Sequence, residues 1–247
     1  VTVELAPDTT VPGLAGYAVG LDDESFEAIT KELEELDPTD EKGHARLTIP
    51  IPEATVSRPL QAKIDVAVTE AGGRAVERVV TVPILPAGPV VGVRKLFDPT
   101  SLSAGGKADF ALVSALPDGT RREVKGLRWE LHAVETRWQW YNSEGKWDYE
   151  AIRTSRRVAD GRLDLGTAEP ARLAAPVDWG TYRLEIRVGD DRRPVTTVTF
   201  GVGWTGADKA GTPDVLDVAL DKRDYAAGEP VQVRLKPRFA GTATVAI

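Results

Sequence analysis

LQAKIDVAVTEAGGRAVERVVTVPI, residues 60–84, is the stretch that decides the fold class of this chain. Two runs in it, 60–69 and 74–84, alternate apolar and polar residues and are rich in valine, which is typical of strands. Gly72 and Gly73 stand between the runs, and glycine adopts the positive φ values that a tight turn requires. The stretch therefore predicts an antiparallel hairpin.

The same order of strand, turn and strand recurs along the chain at a spacing of roughly ten residues. KADFALVSAL (107–116) runs into the turn sequence PDGT (117–120), and TYRLEIRV (181–188) precedes the strand-like run 194–204. Long helical periodicity is nearly absent. The pattern predicts an all-β chain built from antiparallel sandwiches.

One stretch, ESFEAITKELEEL (24–36), conflicts with this pattern. Its apolar residues recur at spacings of three, four and three, which indicates a short amphipathic helix. A strand followed by a charged connection is the alternative, and periodicity alone leaves both open.

Two stretches have the composition of domain boundaries. Residues 83–93 contain three prolines and two glycines, and residues 203–215 are small, polar and rich in glycine. They predict three units, 1–90, 91–207 and 208–247. Because the chain begins and ends within strand-like sequence, we expect it to be a segment of a longer protein whose first unit could lack its first strand.

Charge and composition exclude several classes of function. The net charge is −7 and the basic residues are dispersed, whereas nucleic-acid binding needs a basic patch. The absence of cysteine excludes disulfides, thiol nucleophiles, thioesters and cysteine-ligated metals within this chain. No apolar run reaches the roughly 18 residues of a membrane span.

The residues that most often carry catalysis or bind metals are sparse. The two histidines, His44 and His132, lie in different predicted units, and a metal site usually needs three or four clustered ligands. Sequence motifs for a serine nucleophile, a phosphate-binding loop or a dinucleotide are absent. We therefore expect no catalytic, cofactor-binding or metal-binding residues, no cofactor and no enzymatic activity.

Two acidic stretches, 21–25 and 37–42, also lack the ligand spacing of a calcium-binding loop. Both are interpreted as solvated loops. A surface calcium site formed by Asp22, Asp23 and Glu24 is the weaker alternative.

TRWQWYNSEGKWDYEAI (136–152) holds three of the six tryptophans and two of the five tyrosines. Trp138 and Trp140 alternate, as do Trp147 and Tyr149, and NSEG between them supplies turn residues. We interpret the stretch as a hairpin whose aromatic ladder covers a sandwich face. A platform for carbohydrate or peptide that uses Trp138, Trp140 and Trp147 is the alternative, and a catalytic cleft has the least support.

A second aromatic pair lies in DWGTYRL, at Trp179 and Tyr182. Both side chains are predicted to fill the core at the start of a late strand of the second unit.

The content and order of several stretches resemble the bacterial alpha-2-macroglobulins, large envelope proteins that trap peptidases. The Trp-rich hairpin followed by PVDWGTYRLEI (176–186) is the most specific part of the resemblance. The stretches that carry it are AGGRAVER (71–78), VVGVRKLFD (90–98), 116–135, 138–149, 160–186 and 212–247.

The closing stretch resembles the start of a macroglobulin-like domain. Arg223 and Ala227 replace two prolines of the family pattern, which loosens the turn but removes no functional group. The matching residues are Asp221, Lys222, Tyr225, Gly228, Glu229, Phe239, Ala240 and Gly241.

The resemblance implies tandem seven-stranded antiparallel β-sandwiches, macroglobulin-like and similar to fibronectin III domains: two in 1–90 and 91–207, and the beginning of a third in 208–247. In this family such domains are scaffolding, whereas the bait region and the thioester lie elsewhere in the protein. The resemblance also favours a strand at about 26–33, with 43–51 as the next strand.

The same resemblance sets the expected partners and location. Peptidases are expected to be partners of the full-length protein rather than of this segment, alongside the neighbouring macroglobulin-like domains. No nucleic acid is expected, and membrane anchoring would concern only the longer protein. The implied location is the periplasm or cell envelope.

Overall fold

The fold is given by a computed structural model. It describes residues 1–8, 11–33, 36–51, 56–69, 72–86, 88–98, 102–143, 146–189, 193–205, 217–221 and 224–236, together with 242 and 244. The described part contains one short 3-10 turn, Pro12–Leu14, and no helix that could cross a membrane.

The described strands are all paired antiparallel. In chain order they are β1 (Thr2–Pro7), β2 (Ala18–Val19), β3 (Ile29–Glu32), β4 (Leu60–Thr69), β5 (Ala75–Ile84), β6 (Val90–Lys95), β7 (Lys107–Ala115), β8 (Val124–Ser143), β9 (Lys146–Leu165), β10 (Ala171–Pro176), β11 (Gly180–Arg187), β12 (Thr196–Val202), β13 (Trp204–Thr205), β14 (Asp217–Leu220) and β15 (Val233–Lys236).

The first sheet has the order β3-β1-β4-β5. It confirms the hairpin predicted for 60–84, because β4 and β5 pair from Leu60 opposite Ile84 to Thr69 opposite Ala75. Gly73 has a φ of 81° in the connecting turn, a value that favours glycine. Val3 and Leu5 of β1 pack with Leu60 and Ala62 of β4 to form the buried core of this sheet.

The second unit is a sandwich of two sheets, β10-β7-β6-β2 and β12-β11-β8-β9. Seven of its strands, β6 to β12, come from one continuous stretch of the chain, which confirms the predicted seven-stranded antiparallel sandwich. The eighth strand, β2, comes from residues 18–19.

The core between these two sheets is apolar and centred on aromatic rings. Phe110 of β7 and Phe200 of β12 meet edge to face at 5.4 Å, and Phe97 packs against both of them. Alternation along β11 places Leu184 and Ile186 in the same core with no exposed surface. In a β-sandwich every second residue of a strand faces the core, and β11 follows this pattern.

The stretch 24–36 is extended rather than helical in its described part. Residues 29–32 form β3, which confirms the strand within narrower bounds than expected. The expectation of a next strand at 43–51 is wrong, since these residues carry no strand. Ile49 instead packs against the core of the first sheet. The alternation of apolar and polar residues in 43–51 therefore reflects partial burial and not strand pairing.

The third sheet, β13-β14-β15, begins directly after β12. Trp204 pairs with Leu220 across the segment 206–216, which lies outside the described residues. In the closing stretch, Asp221 accepts hydrogen bonds from the Tyr225 hydroxyl and from the Gln232 amide. The described residues of the family pattern thus hold the turn between β14 and β15.

Candidate functional site

Residues 11–24, called the strap below, leave the first sheet and lie on the second sandwich. Val11, Leu14 and Tyr17 are buried against the outward face of β7, where they meet three small or β-branched residues. Those residues are Ala111, Val113 and Ala115. The alternate residues of β7, such as Phe110 and Leu112, face the inner core, so β7 is buried on both faces.

The strap also adds a strand to the sandwich. Ala18 and Val19 of β2 pair with Val93 and Gly92 of β6. Glycine is required at position 92, because a Cβ there would lie 2.9 Å from the Cβ of Tyr17. The guanidinium of Arg94 lies 4.8 Å from the centre of the Tyr17 ring, within the range of a cation–π contact.

The turn predicted at PDGT (117–120) forms, and the strap contacts it directly. Gly119 has a φ of 90°, and its backbone lies against Gly13 of the strap. A Cβ on Gly13 would lie 2.1 Å from the nitrogen of Gly119, a distance that no side chain tolerates. The amide of Gly13 donates a hydrogen bond to the carbonyl of Pro117 at 3.1 Å.

Asp22 fastens the end of the strap to β12. Its amide donates to the Thr197 hydroxyl at 2.9 Å, and that hydroxyl donates to a carboxylate oxygen of Asp22 at 2.6 Å. The other carboxylate oxygen accepts the amide of Thr199 at 2.5 Å. Hydrogen bonds to an ionised carboxylate are stronger than neutral ones, so this reciprocal pair is a firm attachment.

The neighbouring acidic residues have partners of their own. Asp23 forms an ion pair with Arg183 of β11 at 2.8 Å. Glu24 accepts hydrogen bonds from the amide and hydroxyl of Ser57, at 2.9 and 2.8 Å, just before β4. Residues 21–25 form a largely exposed loop without a strand, as predicted, but each of its carboxylates is attached to a neighbouring element. Three carboxylates that bind three different partners also do not converge on one calcium site.

The other acidic stretch behaves as expected. Asp40 accepts hydrogen bonds from the amides of Lys42 and His44 at 2.9 and 2.8 Å, which closes a local turn. The described residues of 36–44 are exposed.

A second polar cluster lies on the outward face of β8 and β11. Glu130, His132 and Glu185 each offer a potential metal ligand, and these atoms lie within 4.8 Å of one another. Arg187 bridges the two carboxylates, at 2.7 Å from Glu130 and 2.5 Å from Glu185. The guanidinium thus occupies the oxygens that a metal ion would use, and we interpret the cluster as an ion-pair network.

This network changes the acidity of one carboxyl group. Burial would raise the pKa of Glu130, but hydrogen bonds from Arg187 and His132 favour the ionised form and hold the pKa below its ordinary value. The cluster was not predicted from the sequence, because only the pairing of β8 with β11 brings Glu185 close to His132. The alternation of Glu130 and His132 along one strand was the available signal.

The predicted Trp-rich hairpin exists and is longer than expected. β8 and β9 are 20 residues each, and Trp140 pairs with Tyr149. β11 pairs with β8 only as far as Val134, so among the described strands the hairpin beyond that point is a two-stranded ribbon. The term ribbon below means residues 135–143 and 146–154.

Register assigns the aromatic positions of the ribbon to one face. Leu127 and Leu131 of β8 point into the core, so the even-numbered positions, which include Glu130 and His132, face outward. Positions 138 and 140 share that outward register, and register places 149 and 147 beside them on β9. The packing of these four aromatic side chains, predicted to cover a sandwich face, lies outside the described residues.

The second aromatic pair is split between two places. Tyr182 is 6% exposed and stacks on Phe200 at 5.7 Å, and its hydroxyl accepts the amide of Asp178 at 2.9 Å, which confirms its core position. Trp179 is half-buried outside the core cluster and lies against Gly203. The guanidinium of Arg234 in β15 lies 6.0 Å from the centre of its ring, so Trp179 lies between the sandwich and the third sheet, and the prediction that it fills the core is wrong.

Comparison with known proteins finds two family models along the chain. Residues 1–86 match the family model for the MG5 domain of bacterial alpha-2-macroglobulin, and residues 92–204 match that for bacterial macroglobulin domain 6. The chain belongs to the bacterial alpha-2-macroglobulin family. The strap falls within the MG5 match and yet packs on the part that matches domain 6.

Two relatives show how much of a family member the chain covers. The alpha-2-macroglobulin of Xylella fastidiosa strain 9a5c is 36% identical over 209 residues, which are 81% of this chain and 12% of the relative. That of Escherichia coli strain K12 is 27% identical over 253 residues, covering 94% of this chain and 15% of the relative. The chain thus spans a small part of the length of its relatives.

Solved structures of the family share the fold. The native conformation of E. coli alpha-2-macroglobulin has a TM-score of 0.65 at 24% identity, covering 96% of this chain and 16% of that chain. Salmonella alpha-2-macroglobulin reacted with methylamine has a TM-score of 0.62 at 25% identity, covering 95% of this chain and 16% of that chain.

Proposed function

We propose that this chain is a non-catalytic scaffold segment of a bacterial alpha-2-macroglobulin that inhibits peptidases by trapping them. The observation that supports this most is the strap. It joins the first sheet to the second sandwich through a buried apolar contact and the reciprocal hydrogen bonds of Asp22 and Thr197. We propose that a connection of this kind restricts the movement of the two units relative to each other, as a scaffold requires.

The polar clusters support a structural role rather than catalysis. The carboxylates of Glu130 and Glu185 bind Arg187, and that of Asp23 binds Arg183. The hydrogen bond from Arg187 helps to lower the pKa of Glu130, which makes that carboxylate a poor general base near neutral pH. We propose that the chain performs no reaction of its own.

Peptidases are the partners we propose for the whole protein. Structures of E. coli alpha-2-macroglobulin are described as activated by porcine elastase and by trypsin, so that protein responds to both peptidases. In the protein to which this chain belongs, we propose that neighbouring macroglobulin-like domains contact its two ends. Periplasmic or envelope location, and any membrane anchor, would be properties of that whole protein.

The test is a titration of trypsin or elastase with the purified chain, followed by activity on a large protein substrate. We expect full activity to remain at every ratio, whereas intact E. coli alpha-2-macroglobulin, as the control, reduces it. Stoichiometric inhibition by the chain alone would show that it carries inhibitory machinery and would contradict the scaffold role.

A second candidate function follows from the ribbon. It extends past the third strand of its sheet as a two-stranded element, and the described side chains of Tyr141 and Ile152, at positions on the face opposite to 138, 140 and 147, are 43% and 38% exposed. Exposed aromatic and apolar residues on a projecting element are typical of binding surfaces, so carbohydrate or surface binding through Trp138, Trp140 and Trp147 is the alternative. Tryptophan emission that is quenched readily by acrylamide and shifts on addition of glycans would favour it, while unresponsive emission would favour the scaffold.

A further inference from the structure

The outward face of β7 in the second sandwich is buried, although a face in this position is usually exposed to solvent. An antiparallel sheet at the edge of a sandwich usually keeps one face in water. In β7, however, Ala111 and Val113 on the outward face are each 3% exposed, and Ala115 is fully buried. The strap, from a distant part of the sequence, is what covers them.

The fit between strap and surface is specific at the backbone level. The apolar residues of the strap are three apart, at 11, 14 and 17, and the 3-10 turn Pro12–Leu14 has a three-residue repeat that aligns them on one side. Gly13 meets Gly119 and Tyr17 meets Gly92, at contacts too close for any side chain in place of these glycines.

The strap also protects the edge of the sheet. β6 pairs with β7 on one side and with β2 on the other, so without β2 it would present unpaired amide and carbonyl groups. Exposed edges of this kind favour unintended pairing with other chains. Removal of the strap would therefore expose an apolar face and an open edge together.

We propose that the second sandwich requires the strap, which comes from the first unit, for its stability. Residues near positions 13 and 22 would then determine the stability of a domain that begins near position 90. The docking site is the surface formed by β7 and the edge of β6. The segment that fits this site is apolar, adds a strand to β6 and carries an aspartate side chain near its end. In this chain that segment is residues 11–24.

The chain offers a selective probe for the test. All six tryptophans lie between positions 129 and 204, so intrinsic fluorescence reports the second sandwich and the residues that follow it, and not the first sheet. Urea unfolding of the full chain would be followed by this signal for Gly13→Val and for Asp22→Ala. We expect both variants to lower the fluorescence-detected midpoint by about 0.5 M or more.

Matched controls make the same chemical changes away from the strap contact. Gly72→Val adds a side chain to a turn glycine of the first unit that has open space around it. Asp40→Ala removes a carboxylate that closes an exposed local turn. Both controls should leave the fluorescence midpoint within about 0.2 M of the unaltered chain. Equal midpoints for the strap variants and their controls would overturn the proposal.

A measurement on the unaltered chain covers the case in which Gly13→Val fails to fold. Hydrogen exchange should find the amides of β2 and β6 protected to a similar degree as those of β7, because they open only when the sandwich does. Exchange of β2 at the rate of an unstructured peptide, with β6 and β7 still protected, would show a strap that detaches freely and would contradict the proposal.

Discussion

The hydroxyl of Thr197 and the carboxylate of Asp22 are hydrogen-bonded at 2.6 Å, although 175 positions separate the two residues in the chain. The same hydroxyl accepts the amide of Asp22, so one side chain satisfies two groups of the strap. Thr197 is fully buried, and a buried polar group is costly to leave without its partner. This contact is therefore the most sensitive point at which to test the junction.

Thr197→Val should destabilise the second sandwich by about 1 kcal/mol, because valine has the shape of threonine but removes two hydrogen bonds to Asp22, whose side chain is exposed enough for water to replace part of them. The measurement is urea unfolding followed by tryptophan fluorescence. Thr199→Val is the control, since Thr199 binds Asp22 through its amide, which the substitution keeps. Equal losses for the two variants would count against the importance of the hydroxyl.

The sequence predicted the strands that carry their own pattern. Alternation and turn glycines identified the hairpin of β4 and β5 and the pair β11 and β12, because both signals are local. The strap was not predicted, since Val11, Leu14 and Tyr17 are spaced at neither strand nor helix period, and their partners lie about a hundred positions away. The hydrogen-bond partners of Asp22 and Glu24 were not predicted either, because they too are distant in the chain.

Glu130→Gln should flatten the pH dependence of stability in the acid range. The pKa of Glu130 in the folded chain lies below its ordinary value, so its charge stabilises the fold above about pH 4.5. That contribution is lost as the pH falls below this value and through the lowered folded pKa. Midpoints of urea unfolding measured between pH 7 and the acid limit of folding would show a shallower decline in the variant.

Glu123→Gln is the control for that series, because Glu123 pairs with Lys125 and both side chains are exposed. Exposed ion pairs contribute little to stability, and the acid slope should be unchanged. If Glu130→Gln and the unaltered chain had the same slope, the network around Arg187 would contribute nothing measurable.

Tyr182→Phe should cost about 1 kcal/mol, whereas Tyr182→Ala should cost about 3–5 kcal/mol. The first removes only the hydroxyl that accepts the amide of Asp178, and the second also removes the ring that stacks on Phe200. Chemical denaturation of the two variants separates the hydrogen bond from the packing. Similar costs for both would show that the ring adds little to the core.

Trp140→Ala should destabilise the second sandwich by about 1 kcal/mol or less. Position 140 is paired with Tyr149 in the ribbon beyond the reach of β11, and a cross-strand aromatic pair contributes roughly 0.2–1 kcal/mol. Gln139→Ala, on the opposite face, is the control in the same fluorescence-detected unfolding. A loss of about 3–5 kcal/mol for Trp140→Ala would instead place the ring inside a packed core.

Trypsin should cut the folded chain first after Lys42 or Arg46. Both residues lie in the exposed part of 36–46, which has no strand to be opened before cleavage, and proteolysis concentrates at such segments. The strap and β1 lie on the N-terminal side of the cut and are held by Thr197 and by pairing with β4. The two fragments should therefore remain associated and elute together on size exclusion, and mass spectrometry would identify the cut.

The double variant Lys42→Ala, Arg46→Ala is the control for this experiment and should survive trypsin several-fold longer. The fluorescence-detected midpoint of the nicked chain should stay close to that of the intact one, because the second sandwich keeps its strap. Separation of the fragments without denaturant would mean that the contacts of residues 1–42 are too weak to hold the two parts together. First cleavage within β6 to β12 would contradict this prediction, since it would mean that the buried sandwich opens more readily than the exposed loop.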